Sequence, residues 1–206
     1  MEAAIRTFDS LMQLEQWLRL RRKLLPLSGV IDMVSERLRT EDGEIRYDLA
    51  RCLASLLSEA QRYRESLQVL DEVMDGYPDD VRSPIQKATL WLYFLEDPVE
   101  ALRCIDVALE RARRTGFFRR EALGVKARIL LMLGRGEPLS DVLEEIMSLR
   151  ITKDIPDVGR ERDFVDRAPP GLIRKDILAR YNEFRPKRPG DSDADEPPEY
   201  EPPELE

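Results

Sequence analysis

Apolar positions along this chain recur at helical spacing, in consecutive pairs of segments separated by short polar or glycine- and proline-containing breaks. The pattern is clearest from Tyr47 to Asp80. Its first half places Ala50, Leu53, Ala54 and Leu57 on one stripe, and its second half places Ser66, Leu67, Leu70, Val73 and Met74 on another. A Gly76-Tyr77-Pro78 turn closes the pair. A two-helix hairpin of this kind cannot bury its apolar stripe alone, so the pattern predicts that hairpins stack on one another.

The same arithmetic predicts the remaining elements. Ser10 to Leu24 reads as a helix with Leu11, Leu14, Leu18 and Leu25 at helical spacing, Ser10 with Gln13 as a capping box, and Pro26 as its end. Gly29 to Arg39 follows, with Val30, Ile31, Val34 and Leu38 inward; shifted by about 36 residues, Trp17 falls where Leu53 does and Leu38 where Met74 does. Ile45–Glu59 and Arg64–Asp75 form the clearest pair. Ser83-Pro84-Ile85-Gln86 reads as a helix start with Ser83 as its cap, and that helix ends near Leu95. Asp97-Pro98-Val99-Glu100 repeats the logic and opens a helix that Gly116 stops. Phe118–Leu133 and Pro138–Leu149 make the last pair, with Gly134-Arg135-Gly136 read as a helix stop. From Arg150 to Pro170 the pattern lapses; Ile151, Ile155, Phe164 and Val165 are expected to pin this stretch to the last hairpin through a short helix. Gly171–Phe184, with Leu172, Ile173, Ile177, Leu178 and Tyr181 on one face, is expected to cap the stack.

Small residues sit where neighbouring helices would meet: Ala54 and Ser66 with Val73, then Thr89, Ala101 and Ala108, then Ala127, while Leu139 and Ile146 stand where the third unit should also be small. The larger packing positions are Leu57, Leu70, Leu92, Ile105, Leu130 and Leu143, and Pro78 ends the first of these units. On these residues the chain resembles the tetratricopeptide-repeat (TPR) family, over about residues 45–149 or, with a degenerate first pair, 10–149. The resemblance implies an all-α, TPR-like α-solenoid of three to four helical hairpins with a C-terminal capping helix. Its domain would span 1–185, with repeats at about 10–39, 45–80, 82–116 and 118–149 and the cap at 171–184. It also implies a concave face built from the first helix of each hairpin and carrying Arg51, Ser55, Gln86, Lys87, Leu90, Tyr93 and Arg128. Some members hold a peptide carboxylate on three successive inner helices; the matching positions here are Arg51, Ser55, Lys87, Glu121 and Val125, which lack the family's Asn and reverse one charge. An irregular helical bundle without a groove is the competing architecture.

Composition narrows the chemistry. The chain has no His, which removes Ser-His-Asp and Cys-His catalysis together with the commonest metal ligand. Cys52 and Cys104 fall inside predicted helices and read as buried thiols rather than as a metal site, although one disulfide between them is conceivable. Glu144 and Glu145 have no partner carboxylate. The expectation is therefore no enzyme activity, no cofactor and no metal. Lys and Arg total 33 against 41 Asp and Glu, but the stretch from Gly190 onward carries eight acids and no base, so the remaining 33 acids equal the 33 bases. Residues 186–206 thus read as an acidic, Pro-rich tail, expected to be disordered, in which Glu196-Pro-Pro-Glu-Tyr200 is echoed by Glu201-Pro-Pro-Glu-Leu205 and favours polyproline II. The basic run Arg19, Arg21, Arg22, Lys23 reads as a solvated face. In RRTGFFRR, Arg113–Arg120, the two Phe are expected to staple the turn between hairpins, and a neutral body beside an acidic tail argues against nucleic acid. Neither the opening MEAAIRTFDS nor any later stretch has the apolar run of a signal peptide or membrane span, so the expected setting is cytoplasmic, with no membrane contact.

The function expected from the sequence is a non-catalytic protein–protein interaction module, an adaptor or co-chaperone holding a protein or peptide partner in the concave groove. The alternative is a dedicated secretion or assembly chaperone with the same kind of groove. A homodimer is compatible with either, as is an intramolecular contact in which the acidic tail meets Arg51, Lys87 and Arg128 and places Tyr200 or Leu205 near Leu90 and Tyr93.

Overall fold

A computed structural model of the protein describes residues 11–149 and 161–184. All the regular structure among those residues is helical: α1 Leu11–Leu24, α2 Leu27–Leu38, α3 Gly43–Glu59, α4 Tyr63–Gly76, α5 Arg82–Tyr93, α6 Pro98–Thr115, α7 Arg119–Met132, α8 Gly136–Ser148, the single turn α9 Arg162–Val165, and α10 Lys175–Phe184. The expected cap at Ser10, the pinning role of Ile151 and Ile155, and the tail 186–206 lie outside the described residues. No helix among the described residues is long and apolar enough to cross a membrane.

The helices start and stop for local chemical reasons. Asp97 accepts hydrogen bonds from the backbone N–H groups of Val99 and Glu100, satisfying donors that the first turn of α6 leaves free, and Pro98 follows it where a missing N–H costs nothing. Gly116 ends α6 at φ +79°, in the left-handed region that suits glycine. The start of α5 differs from expectation. The helix begins at Arg82, and it is the Asp80 carboxylate that accepts from Arg82 N (3.1 Å) and Ser83 N (2.9 Å), while the Ser83 hydroxyl is buried and unpartnered. Asp and Ser compete for the capping role, and the carboxylate wins because Arg51 also pairs with it at 3.2 Å. Gly134-Arg135-Gly136 also differs from the expected helix stop. Gly134, at φ +64°, does close α7, but Gly136 opens α8 and lies so close to the Leu172 carbonyl that a Cβ there would sit 2.1 Å from its oxygen. The final helix likewise opens at Lys175 rather than Gly171, because residues 171–174 are spent on this contact with α8.

Each helix packs against the next in the chain from α1 to α8, α10 packs on α8, and two pairs of helices two apart in the chain also touch, α1 on α3 and α5 on α7. The expected small positions Ala54, Ser66, Ala101, Ala108 and Ala127 are fully covered. Ser66 makes the close approach explicit: its hydroxyl donates to the Ala54 carbonyl at 2.7 Å, stitching α4 to α3. The bulky Leu139 and Ile146 are also fully buried, so the third unit accommodates at these positions what the others keep small. Val165, Ile173, Ile177 and Tyr181 join the core around α5–α8, with Phe164 packed against it. Arg120 and Glu161 lock the segment before α9 onto α7 with a two-pronged ion pair at 2.9 and 2.5 Å.

Candidate functional site

Two adjoining cavities run along α3 and α5. The first, about 310 Å³, lies between Arg51, Cys52 and Ser55 of α3 and Arg82, Ile85, Gln86 and Thr89 of α5, with Glu121 of α7 on its rim. The second, about 510 Å³, shares Ser55, Gln86 and Thr89 and continues to Ser58, Tyr63, Leu90 and Phe94. Together they form a groove parallel to both helices, polar at the α5 start and apolar at its end, where the Tyr63 and Phe94 rings lie 5.4 Å apart.

The structure brings Arg51, Ser55 and Gln86 of the expected site together. The Gln86 amide donates to Ser55 Oγ at 2.8 Å and to the Arg51 carbonyl at 3.2 Å, holding the two helices side by side. The Arg51 guanidinium is not a free cation: it pairs with Asp48 one turn back and with buried Asp80. Tyr93 and Arg128 form a second pair farther along, with Arg128 donating to the Tyr93 hydroxyl at 3.1 Å and its guanidinium 5.6 Å from the centroid of the Phe164 ring. Lys87 does not line the groove, and Leu90 reaches it only at the edge of the second cavity. Successive residues on a helix are turned by about 100°, so when Gln86 faces α3 Lys87 points aside, and its ammonium pairs with Asp71 on α4. Leu90, turned to the flank, is buried with Ala54 and Leu70 and shows the cavity only its edge.

Thr89 was expected at a helix–helix contact but lies on the cavity wall, half-buried, its hydroxyl returned to the Ile85 carbonyl. Asp48, Arg82 and Glu59, also on the walls, could have been found from the sequence as residues three or four positions from Arg51, Gln86 and Ser55 on the same stripes.

Both thiols are free of disulfides. Burial pushes the Cys104 thiol up to about 11, with nearby Lys87 pulling the other way, so it is protonated at neutral pH and is a poor nucleophile. Cys52 is half-buried on the groove wall. The groove therefore offers an amide, hydroxyls, a neutralised guanidinium and aromatic edges: groups that hold a backbone or side chain in place. A scan against protein-family models finds no match to this chain, and a search of curated proteins finds no relative.

Proposed function

We propose that this protein is a non-catalytic interaction module, a TPR-like stack of helical hairpins that holds an extended segment of a protein partner along the α3–α5 groove. The observation that supports the reading is a single cavity lined by residues of α3 and α5, with Glu121 of α7 on its rim, so that alternate helices of the chain order face one space. An extended chain laid there meets the Gln86 amide and the Ser55 and Thr89 hydroxyls at one end and the Tyr63–Phe94 edge at the other, so polar groups set its register and aromatic surface supplies burial. Arg51, held by two aspartates, keeps the polar end locally balanced rather than strongly basic.

A photo-reactive p-benzoylphenylalanine in place of Thr89 tests the proposal against the same group in place of Val107, which is exposed on α6. In cells of the source organism the groove probe should capture a discrete partner that the α6 probe does not. Equal capture by both probes, or none by the groove probe, would overturn it.

A further inference from the structure

A different cleft opens where the turns between hairpins meet. Tyr47 at the start of α3 stacks on Tyr77 in the α4–α5 turn, ring centroids 5.1 Å apart and planes 16° from parallel. Phe117 and Phe118, in the α6–α7 turn, line the same cavity of about 390 Å³. The expected staple is absent: Phe117 is 69% exposed, Phe118 44% and Tyr77 39%. Phe118 is also held at φ +59°, a conformation that a bulky side chain seldom adopts, with the Arg82 guanidinium 5.6 Å from the centroid of its ring. Apolar rings displayed in this way on a fixed backbone make a recognition surface rather than core.

We propose that this cleft binds the diproline repeat of the chain's own acidic tail, Glu196-Pro-Pro-Glu-Tyr200 and Glu201-Pro-Pro-Glu-Leu205. Three observations support that occupant. The first is chemical: a polyproline II segment presents flat, rigid pyrrolidine faces and loses little entropy on docking, and grooves walled by aromatic rings recognise it. The second is charge. Arg82 over Phe118 and Arg113, Arg114 and Arg119 of the turn are solvent-exposed, in ion pairs with Asp48, Glu110, Asp79 and Glu145 that solvent screens. A segment that carries a Glu on both sides of each diproline can share these guanidinium groups, whereas Arg120 is taken up by buried Glu161. The acids facing the cleft are already engaged, Asp48 and Asp80 by Arg51 and Asp79 by Arg114 at 3.5 Å. The third is reach. Leu172 lies against Gly136 at the start of α8, and Arg180 against Glu144 farther along, so α10 advances in the same sense as α8. Arg119 meets Glu145 at 2.6 Å, which puts the end of α8 beside the start of α7 and next to Phe118. From Phe184 the tail therefore sets out roughly two helix spacings, on the order of 20 Å, from the cleft. The 13 residues to Pro197 cover about 40 Å as polyproline II. A tether of that length holds the segment at a high effective concentration, and either diproline can serve.

This site differs from the one expected at Leu90 and Tyr93, where Leu90 is buried and Lys87 is turned toward Asp71. The proposal does not rest on the groove reading, and a probe at Thr89 can fail while this one succeeds. The test is p-benzoylphenylalanine in place of Phe117 in the full-length protein, irradiated at low concentration and mapped by peptide mass. The expected product is an adduct to residues 196–205 within one chain. It should fall several-fold in a Pro197→Gly, Pro198→Gly, Pro202→Gly, Pro203→Gly variant that keeps every tail charge. Adducts that avoid the tail, that form only between two chains, or that survive the glycine substitutions undiminished would each overturn the assignment. A second readout uses natural residues: Phe117→Ala should move the backbone amide resonances of Glu199 or Tyr200, of Leu205, or of both in the full-length protein, and unmoved resonances throughout would also overturn it.

Discussion

The two halves of the molecule are both built from helices packed on their chain neighbours but differ in how completely they bury their apolar stripes. From α5 onward the buried side chains form one cluster running from Val81 to Tyr181, fed by α5–α8 and closed by Ile173, Ile177 and Tyr181. On the other side, α1–α3 share a smaller cluster from Leu14 to Leu57, while Leu20, Leu24 and Leu25 stand exposed. The halves meet through Ala54, Leu70 and Leu90, and through Arg111, which donates to the Asp80 carbonyl at 2.9 Å. Helices with neighbours on two sides bury more of their apolar surface than helices with neighbours on one. Local opening should therefore begin in α1–α2 and reach α5–α8 last.

The largest expected effect comes from Ala101→Arg, which forces a guanidinium into the main cluster with no room and no partner. It should cost more than about 4 kcal/mol and remove most of the helical circular dichroism. Ala54→Arg makes the same insertion at the junction, and hydrogen exchange should find α7 and α8 still protected. If both variants lose protection everywhere, the halves are one cooperative unit and the comparison fails.

Gly136→Ala comes next. Its Cβ would meet the Leu172 backbone at 2.1 Å, so the segment that docks α10 must move away, at a cost of about 3 kcal/mol in urea unfolding. The loss should be confined to the second half, with exchange in α2 and α3 unchanged.

Each half also contains a buried ion pair, Arg37–Glu41 at 2.5 Å and Arg120–Glu161 at 2.5 Å. The first closes one turn of chain, and the second joins residues 41 apart. Glu161→Gln keeps the shape but not the charge and should cost about 2 kcal/mol, with Glu41→Gln costing less in parallel thermal melts. Equal losses would mean that sequence separation adds nothing here.

The smallest effect is on pH. The Cys104 thiol is raised in the folded protein to about 11 from its ordinary 9.0, so the folded state binds more protons than the unfolded state between those values. Stability should fall as pH rises across that window, and Cys104→Ala should flatten the decline in denaturant titrations. At pH 8 a thiol reagent should modify Cys52 well before Cys104.

The sequence by itself determined the helices and much of the core. The stripe through Ala50, Leu53, Ala54 and Leu57 and its counterparts need only the 3.6-residue period and the loss of apolar surface from water, both local in the chain, and these four residues are buried as expected. The capping of α6 by Asp97 and its end at Gly116 were legible for the same reason. Tertiary contacts decided what depends on residues distant in sequence. Asp80 rather than Ser83 caps α5 because Arg51, 29 residues away, shares its carboxylate. Gly136 opens α8 because the Leu172 carbonyl fills the space of its side chain. Lys87 leaves the expected groove and Leu90 only edges it because the azimuth of α5, which no periodicity sets to within one residue, is fixed by its packing between α4 and α6. Phe117 and Phe118 stand exposed for the same kind of reason: the chain specifies a turn there, and only the packing around it leaves the rings without a core to enter.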